Sequence, residues 1–373
     1  MTREAALALE DGSVFVGEHF GAEVETEAEV VFNTSMTGYL EVCTDPSYRG
    51  QMVAMCHPQI GNYGVAASHR ESVRPWLAAL IVRELAEKPH HWESAGDLPS
   101  YLAEFGVPGL QGIDTRALVR RLRSRGTMRA VLRLAGPAGF DAASLDGLRS
   151  EAKAVADLSE KQLVGEVSGA GAQAVRNGDR PAARVAVVDY GLKHNIVHSL
   201  ARRGLDAVVL PWNATARDIL ATEPAGVVFS NGPGDPATLP DAVQAVAELI
   251  ETDLPLFGIC LGHQLLGRAI GATTSRLGYG HHGGNHPVKE LATGRVSVTT
   301  QNHEFQVDDG PALAAAGFRV SHVNLNDGSI EGLAHLEKPI FSVQYHPEGC
   351  PGPQDNQELF DRFVSLIRAR EAR

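Results

Sequence analysis

A segment of nine residues, 257–265 (F-G-I-C-L-G-H-Q-L), places one cysteine between an apolar run and a helical pattern. The run 254–259 predicts a buried strand, and residues 264–270 predict a helix that follows almost at once. A glycine lies two positions before Cys260 and another two positions after it, as a tight strand-to-helix turn requires. A helix N-terminus behind a thiol favours the thiolate, which is the nucleophilic form. Taken alone, the segment fits a nucleophile and a small buried core residue equally well.

The bulk composition narrows the classes of protein. A chain of 373 residues predicts two domains, since single cores rarely grow so large. A formal net charge of -12 disfavours nucleic acid and anionic membranes as partners. The sequence has no apolar run long enough for a membrane span, no secretory layout at its start and no Cys-x-x-Cys pair among its four cysteines. We therefore expect a cytoplasmic protein without a disulfide framework or a zinc site.

The domain boundary is predicted from a change in composition. We expect an N-terminal domain over residues 1–165, a linker rich in glycine and alanine over 166–183, and a C-terminal domain over 184–373. The first domain is expected to be a separate mixed α/β domain with strands at 14–20, 29–33 and 50–55 and a helix at 113–125.

The second domain alternates strand and helix patterns. Such alternation predicts an α/β fold, a doubly wound, mostly parallel sheet with helices on both faces. Strands are expected at 185–189, 207–210, 226–230, 254–259, 295–300 and 340–344, and helices at 195–203, 241–251, 264–270 and 354–370. Ligands of such sheets bind at the carboxyl ends of the strands, where Cys260 lies.

Two further loops follow predicted strands. His346 comes directly after one of them, and Glu348 lies close enough to orient its imidazole, so the pair fits the base and orienting group that a thiol nucleophile needs. The loop 230–236 (S-N-G-P-G-D-P) follows another strand, and its glycines and prolines build a turn whose amides can face a ligand. Each loop alone is consistent with an ordinary surface feature, but three at neighbouring strand ends are not.

The segments F-G-I-C-L-G-H-Q, S-N-G-P-G-D-P and Q-Y-H-P-E together resemble the triad-type glutamine amidotransferases. The resemblance implies that Cys260 attacks the carboxamide of L-glutamine, that His346 is general base and acid, and that Glu348 orients it. It further implies an oxyanion site made by the backbone amides of Leu261 and Gly232.

The N-terminal half resembles that of the small subunits of carbamoyl-phosphate synthetases, and with it the likeness runs essentially end to end. The segments that carry the likeness are 29–39, 44–48, 58–64 and 112–116, together with 189–193 and 280–287 in the second half. The residues that the likeness places at glutamine are Ser47, Gly232, Gly234, Leu261, Gln264, Asn302, Glu304 and Phe305. Glu304 departs from the family, which usually has glycine there; its backbone amide can replace that of glycine only if its φ is negative.

The resemblance also implies a partner. Ammonia would pass to a large subunit that makes carbamoyl phosphate from bicarbonate and ATP, so ATP and magnesium are expected there, and no cofactor is expected on this chain. The sequence has no phosphate-binding G-x-x-x-x-G-K-[ST] loop of its own. His281, His282 and His286 lack the acidic or cysteine neighbours of a metal site, so no metal is expected. The arginines of helix 113–125 are expected to dock partly on the large subunit.

Two other functions remain open. One is a free-standing hydrolase of γ-glutamyl amides, and the other is the glutaminase of a different synthetase. A catalytically silent binding subunit is disfavoured because cysteine, histidine and glutamate are all present. Whether arginine or pyrimidine biosynthesis is the main client stays open.

Overall fold

The computed structural model describes residues 3–157, 161–175 and 183–372, and the chain divides into two compact units. The first unit comprises Met1–Lys161 together with Gly278–His282, and the second comprises Gln162–Leu277 and Gly283–Arg373. This division differs from the predicted boundaries at 165 and 184, because the second unit starts earlier and a short segment of the second half belongs to the first.

A closed β-barrel forms the centre of the first unit. The strands of this unit are β1 (Glu4–Leu9), β2 (Val14–Gly21), β3 (Thr26–Asn33), β4 (Gln51–Met55), β5 (Gln59–Ile60), β6 (Ala79–Ile81), β7 (Glu84–Leu85), β8 (Pro108–Gln111) and β9 (Met128–Leu134). Its helices are α1 (Tyr39–Thr44), α2 (Leu98–Glu104), α3 (Thr115–Arg125) and α4 (Ala142–Ala154). The barrel order is β1-β2-β8-β6-β4-β3-β9; β8, β6, β4 and β3 run parallel and the other pairs antiparallel, while β5 and β7 pair separately.

Strand β1 is covered on both of its faces. Leu7 and Leu9 pack in the barrel interior, whereas Ala6 and Ala8 pack under α4 on the outside. A strand covered on both faces needs apolar residues at consecutive positions, and β1 is buried from its second residue to its last. Helix α3 is capped by Asp114, whose carboxylate accepts from the Ala117 N–H at 2.9 Å, as its sequence predicts.

A sheet of ten strands forms the second unit. Its strands are β10 (Gln173–Val175), β11 (Ala183–Asp189), β12 (Leu205–Pro211), β13 (Gly226–Phe229), β14 (Leu256–Ile259), β15 (Thr274–Glu290), β16 (Val296–Val307), β17 (Phe318–Asn324), β18 (Ile330–His335) and β19 (Ile340–Val343), in the order β10-β12-β11-β13-β14-β19-β18-β17-β15-β16. The five neighbouring strands β12, β11, β13, β14 and β19 run parallel. Antiparallel strands extend the sheet on both sides, beginning with β10 beside β12 and β18 beside β19. The predicted α/β fold is confirmed.

Helices cover both faces of the parallel part, as the sequence predicts. The helices of this unit are α5 (Val164–Val167), α6 (His194–Ala201), α7 (Ala216–Leu220), α8 (Pro240–Ile250), α9 (Leu261–Ala269), α10 (Pro311–Ala315) and α11 (Glu358–Glu371). Helices α7, α8 and α9 share one apolar core with the sheet, and α6 and α11 share the other. Within the described ranges, no helix is long and apolar enough to cross a membrane.

The predicted linker 166–183 is partly ordered structure of the second unit. Strand β10 lies within it and pairs antiparallel with β12, and the Gly169 N–H donates to the Asp189 carboxylate at 2.8 Å. Glycine and alanine suggest a linker by composition, but an edge strand is held by backbone hydrogen bonds that composition does not report. Residues 176–182 of the predicted linker lie outside the described residues.

Phe257 offers a test of the core that supports Cys260. Its ring is buried, stacks on Phe341 with centroids 4.5 Å apart and also contacts Phe360 and Phe363. We expect Phe257→Ala to lower the free energy of unfolding by about 3–5 kcal/mol, because it removes these contacts and leaves a cavity. Urea unfolding followed by circular dichroism measures this, with Leu336→Ala at an exposed position as the control, which should change stability by less than about 0.5 kcal/mol. Equal effects of both variants would contradict the assignment of Phe257 to the core that supports Cys260.

Candidate functional site

Cys260 forms the turn between β14 and α9. Its backbone has φ 53° and ψ -105°, and it is one of two residues other than glycine with positive φ in the described chain. Such a conformation is strained for a residue with a Cβ and persists where surrounding contacts enforce it. The Cys260 N–H donates to the carbonyl of Val343 in β19 at 2.9 Å, which fixes the turn against the neighbouring strand.

The two glycines beside Cys260 are required by close backbone contacts. A Cβ on Gly258 would lie 2.7 Å from the carbonyl oxygen of Gly262, and a Cβ on Gly262 would lie 2.2 Å from that of Phe229. Both distances are far below van der Waals contact, so any larger residue would displace the turn. The glycines that the sequence pattern places on both sides of Cys260 are therefore required for steric reasons.

His346 lies just beyond the carboxyl end of β19, beside the strand that leads to Cys260. Strands β14 and β19 are parallel neighbours with Ile259 opposite Val343. The backbone N–H of His346 donates to the backbone carbonyl of Thr300 at 2.9 Å. The ring atom Nδ1 of His346 lies 2.6 Å from Oε1 of Glu348. Both side chains are buried. His346 is thus held by its backbone N–H and by one nitrogen of its imidazole ring.

Charges inside this buried site shift both pKa values. Burial lowers the pKa of His346 and the Lys193 ammonium lowers it further, but the Glu348 carboxylate and the Cys260 side chain together outweigh both, so the net shift is upward. Burial raises the pKa of Glu348, but Lys193 and His346 outweigh it, so the net shift is downward. Glu348 therefore stays ionised and favours the imidazolium form of His346. The Nε2 atom of His346 has no hydrogen-bond partner among the described residues.

Lys193 is a member of this site to which the sequence analysis gave no role. Its Nζ lies 2.9 Å from Oε1 of Glu348 and donates to the Cys350 carbonyl at 2.5 Å, and its side chain is 1% exposed. The Lys193 N–H donates to Oδ1 of Asn231 at 3.2 Å, which links it to the loop after β13. The sequence signal that could have indicated this role is the position of the lysine, shortly after a strongly apolar strand. A lysine buried there needs an anionic partner.

The loop after β13 brings Gly232 against Leu261. A Cβ on Gly232 would lie 2.2 Å from the Tyr190 carbonyl oxygen and 2.9 Å from the Leu261 side chain, so only glycine fits. Ser230 shapes the loop, because its Oγ accepts from the Tyr190 N–H at 2.9 Å and its carbonyl accepts from the Gly262 N–H at 3.0 Å. The backbone N–H groups of Gly232 and Leu261 donate to no described residue. Oxyanion binding needs backbone N–H groups of this kind, which are not used by other hydrogen bonds of the protein.

Several side chains predicted to contact glutamine lie around Cys260. The Cys260 thiol lies 3.7 Å from the Asn302 carbonyl oxygen. The Gln264 amide donates to the Phe305 carbonyl at 2.8 Å and to Oε1 of Gln344 at 3.1 Å. Strand β16, which carries Asn302 and Phe305, is therefore tied both to the nucleophile and to the first turns of α9.

Glu304 lies inside β16 and is not among the residues with positive φ. The condition for replacing glycine at this position is therefore met, and its backbone carries no left-handed strain. Its carboxylate Oε2 lies 2.7 Å from Nη2 of Arg276 in β15, and the side chain is 9% exposed. The guanidinium carbon of Arg276 lies 6.0 Å from the centre of the Phe305 ring.

The two remaining predicted residues have separate settings. Gly234 has φ 88°, a conformation that favours glycine, in the loop after β13. Ser47 belongs to the first unit, where it lies in a short 3₁₀ turn, Pro46–Tyr48, and its N–H donates to the Asp45 carboxylate at 2.9 Å. Its contribution to a glutamine site stays a prediction.

Comparison with known proteins assigns both halves of the chain. A family model described as "Glutamine amidotransferase class-I" matches residues 186–366, and one described as "Carbamoyl-phosphate synthase small chain, CPSase domain" matches residues 7–132. The chain is 50% identical to the carbamoyl phosphate synthase small chain of Symbiobacterium thermophilum, over 96% of this chain and 97% of the relative. It is 46% identical to that of Bacillus caldolyticus (97% and 96% covered) and 44% identical to the pyrimidine-specific small chain of Bacillus subtilis (98% and 96% covered).

The contact between Lys193 and Glu348 can be tested by a double-mutant cycle. We expect Lys193→Met to lower the free energy of unfolding by about 3 kcal/mol, because it removes the cation beside a buried carboxylate. Lys193→Met combined with Glu348→Gln should cost less than the sum of the two single changes. Urea unfolding measures all three, with Lys338→Met as the control, since Lys338 lies 3.5 Å from an exposed carboxylate of Glu251 and should contribute less than about 1 kcal/mol.

The same cycle has a pH dependence of known sign. The pKa of Glu348 is lower in the folded protein, so its stabilising effect is present above the unfolded carboxyl pKa of about 4.3 and is lost as the pH falls through the folded value. The stability difference between wild type and Glu348→Gln should therefore shrink as the pH is lowered below about 4.3, toward the folded pKa of Glu348. Additive effects, or a difference that does not change with pH, would contradict the coupling.

Proposed function

This chain belongs to the family of carbamoyl-phosphate synthase small chains, and we propose on that basis that it hydrolyses L-glutamine through a thioester on Cys260 and supplies the ammonia to a large subunit. The observation that carries this proposal is that Cys260 and the hydrogen-bonded pair His346–Glu348 are buried together at the carboxyl ends of two neighbouring parallel strands. A nucleophile, a base and an orienting carboxylate in this order are what acyl transfer from an amide needs.

In the proposed acylation step, His346 removes the proton of the Cys260 thiol. The sulfur attacks the carboxamide carbon of glutamine, and the carbonyl oxygen becomes an oxyanion. The amides of Leu261 and Gly232 are the proposed donors to that oxygen. His346 then gives its proton to the carboxamide nitrogen, the carbon–nitrogen bond breaks, and ammonia leaves a γ-glutamyl thioester on Cys260.

In the proposed deacylation step, water takes the place of ammonia. His346 removes a proton from the water, whose oxygen attacks the thioester carbon. Collapse of the second tetrahedral intermediate breaks the carbon–sulfur bond, releases glutamate and returns the proton to Cys260. Glu348 remains ionised through both steps and stabilises each imidazolium, and Lys193 holds that carboxylate in place.

The N-terminal half favours a carbamoyl-phosphate synthase as the enzyme that receives the ammonia. The match of residues 7–132 to the small-chain model favours a carbamoyl-phosphate synthase over a different synthetase or a free-standing amide hydrolase. We place the ATP and magnesium sites, and the use of bicarbonate, on the large subunit. A cytoplasmic location, and a role for Ser47 at glutamine, belong to the same proposal.

Cys260→Ala tests the nucleophile. Assayed together with a large subunit, the variant should lose glutamine-dependent carbamoyl phosphate synthesis by at least about a thousandfold, because no thioester can form. Synthesis from added ammonium chloride should be retained, since it bypasses the glutaminase. Cys350→Ala is the matched control: this thiol lies 3.6 Å from the Glu348 carbonyl oxygen and should be dispensable. Glutamine use by Cys260→Ala near the wild-type rate would refute the assignment.

Helix α3 provides a test of the proposed large-subunit contact. Its arginines are exposed, but Arg121 already binds Asp11 at 2.7 Å, whereas Arg116 and Arg120 form no ion pair with a described residue. We therefore expect Arg116→Glu with Arg120→Glu to weaken assembly at least about tenfold, most clearly at low salt, because like charges would face each other across the contact. Sedimentation velocity of mixed subunits measures this.

The control for this experiment is a charge reversal elsewhere on the chain. Arg368 and Arg370 are exposed in the last turns of α11 and form no ion pair with a described residue. Their replacement by glutamate changes the net charge equally and should leave assembly within about twofold of wild type. Equal weakening by both pairs would show a general charge effect and contradict docking through α3.

A further inference from the structure

A cavity of about 410 Å³ lies in the second unit. Its polar lining includes Glu290, Ser321, Arg319 and Arg362, and its apolar lining includes Leu291, Val320 and Ala334. Its volume lies within the range of about 300–1,000 Å³ that is typical of small-molecule pockets. None of the described residues that line it belongs to the catalytic group at Cys260 or to the residues predicted to contact glutamine.

The register of three strands explains how the cavity arises. Arg319 of β17 is paired with Ala334 of β18, and Ala334 is paired with Phe341 of β19. Side chains of paired residues lie on the same face of a sheet, so a long, a small and an aromatic side chain follow one another across the three strands. Ala334 is buried, and its methyl group fills little of the space between its two larger neighbours. The small residue therefore leaves a depression in this face of the sheet.

Helix α11 supplies the second arginine of the cavity. The guanidinium carbon of Arg362 lies 4.4 Å from the centre of the Phe341 ring, a distance typical of a cation–π contact. Phe341 also stacks on Phe257, so the ring that contacts Arg362 is itself held in the core. A cation–π contact places a guanidinium group but uses none of its five N–H groups. Arg362 is therefore positioned with its hydrogen-bond donors still available.

The two arginines bring positive charge to the cavity. Neither Arg319 nor Arg362 forms an ion pair or a side-chain hydrogen bond with any residue that the structure describes. Both are exposed over part of their surface, so a solute can reach them. Burial of the enclosed part lowers the pKa of Arg362 and the charge of Arg319 lowers it further, and together they outweigh the opposite effects of Glu290 and Tyr345. An anion that contacts both guanidinium groups relieves this repulsion.

Glu290 offsets only part of this charge. Its Oε2 accepts a hydrogen bond from Oγ1 of Thr293 at 2.6 Å, and it forms no ion pair within the described part of the chain. Two guanidinium groups and one carboxylate leave the lining with one net positive charge. Leu291 and Val320 add apolar surface beside these charges. Such a lining suits a small molecule that has an anionic group and an apolar part.

We propose that this cavity binds a small organic anion whose phosphate or carboxylate group contacts Arg319 and Arg362. The apolar part of the same ligand lies against Leu291 and Val320. Guanidinium groups bind both kinds of oxyanion through pairs of N–H donors. The inference concerns a second ligand site and does not depend on the proposed glutaminase function.

Isothermal titration calorimetry of the full chain tests this site with phenyl phosphate and with benzoate, which share an apolar ring and differ in the oxyanion. We expect at least one of them to bind with a Kd below about 1 mM, and the tighter of the two identifies the preferred oxyanion. Benzyl alcohol has the ring but no charge and should bind at least about tenfold more weakly than the tighter probe.

Arg319→Gln and Arg362→Gln should each raise the Kd of the tighter probe at least about tenfold, because each removes a charge-assisted contact. Ala334→Leu should abolish binding without changing any charge, because the larger side chain fills the cavity, and circular dichroism checks that this variant is folded. Arg319→Gln changes an exposed side chain and keeps the test decisive if Ala334→Leu does not fold.

Arg368→Gln is the matched control, because Arg368 is an exposed arginine of the same helix as Arg362 and forms no ion pair with a described residue. It should leave the Kd within about twofold of wild type. The inference is overturned if neither probe binds the wild-type chain below about 10 mM, or if Arg319→Gln binds as tightly as wild type. Equal weakening by Arg368→Gln would show a general effect of surface charge and would overturn it as well. Failure of the glutaminase function would not affect these results, since binding is measured without glutamine.

Discussion

One carboxylate oxygen, Oε1 of Glu348, holds the candidate site together. It accepts from Nδ1 of His346 at 2.6 Å and from Nζ of Lys193 at 2.9 Å, and all three side chains are almost completely buried. A carboxylate of this kind is costly to bury alone, and the two cations offset the cost. The same arrangement sets the chemistry, because it keeps Glu348 ionised and raises the pKa of the histidine that faces Cys260. Stability and reactivity here depend on one group of charges.

The turn at Cys260 is the second constraint, and it is steric rather than electrostatic. The left-handed backbone at Cys260 is kept by its hydrogen bond to Val343 and by two glycines that admit no Cβ. Because Val343 ends the strand that leads to His346, the same strand pairing that positions the nucleophile also positions the base. A shift of β19 by one residue would disturb both.

Local patterns were sufficient for much of the site. A cysteine between glycines, a proline-rich loop and a histidine after an apolar run each follow a buried strand, and a parallel sheet brings such strand ends to one edge. Lys193 was missed because its partner Glu348 lies far away in the sequence, and only the fold shows that the two meet. The closed barrel, the antiparallel strands beside β19 and the allocation of Gly278–His282 to the first unit likewise depend on long-range pairing. The edge strand β10 was hidden by a composition typical of linkers.

The two family models match different parts of the chain. The proposed nucleophile, base, orienting carboxylate and oxyanion donors all lie within residues 186–366, the part that matches class-I glutamine amidotransferases in general. The chemistry proposed for that part ends with the release of ammonia, and none of the groups proposed for it selects the acceptor. The barrel unit matches the small-chain model over residues 7–132, and none of the groups proposed to break the amide bond lies in that range. Glu304 lies inside β16 and does not have positive φ, so the strand accepts its charged side chain without left-handed backbone strain.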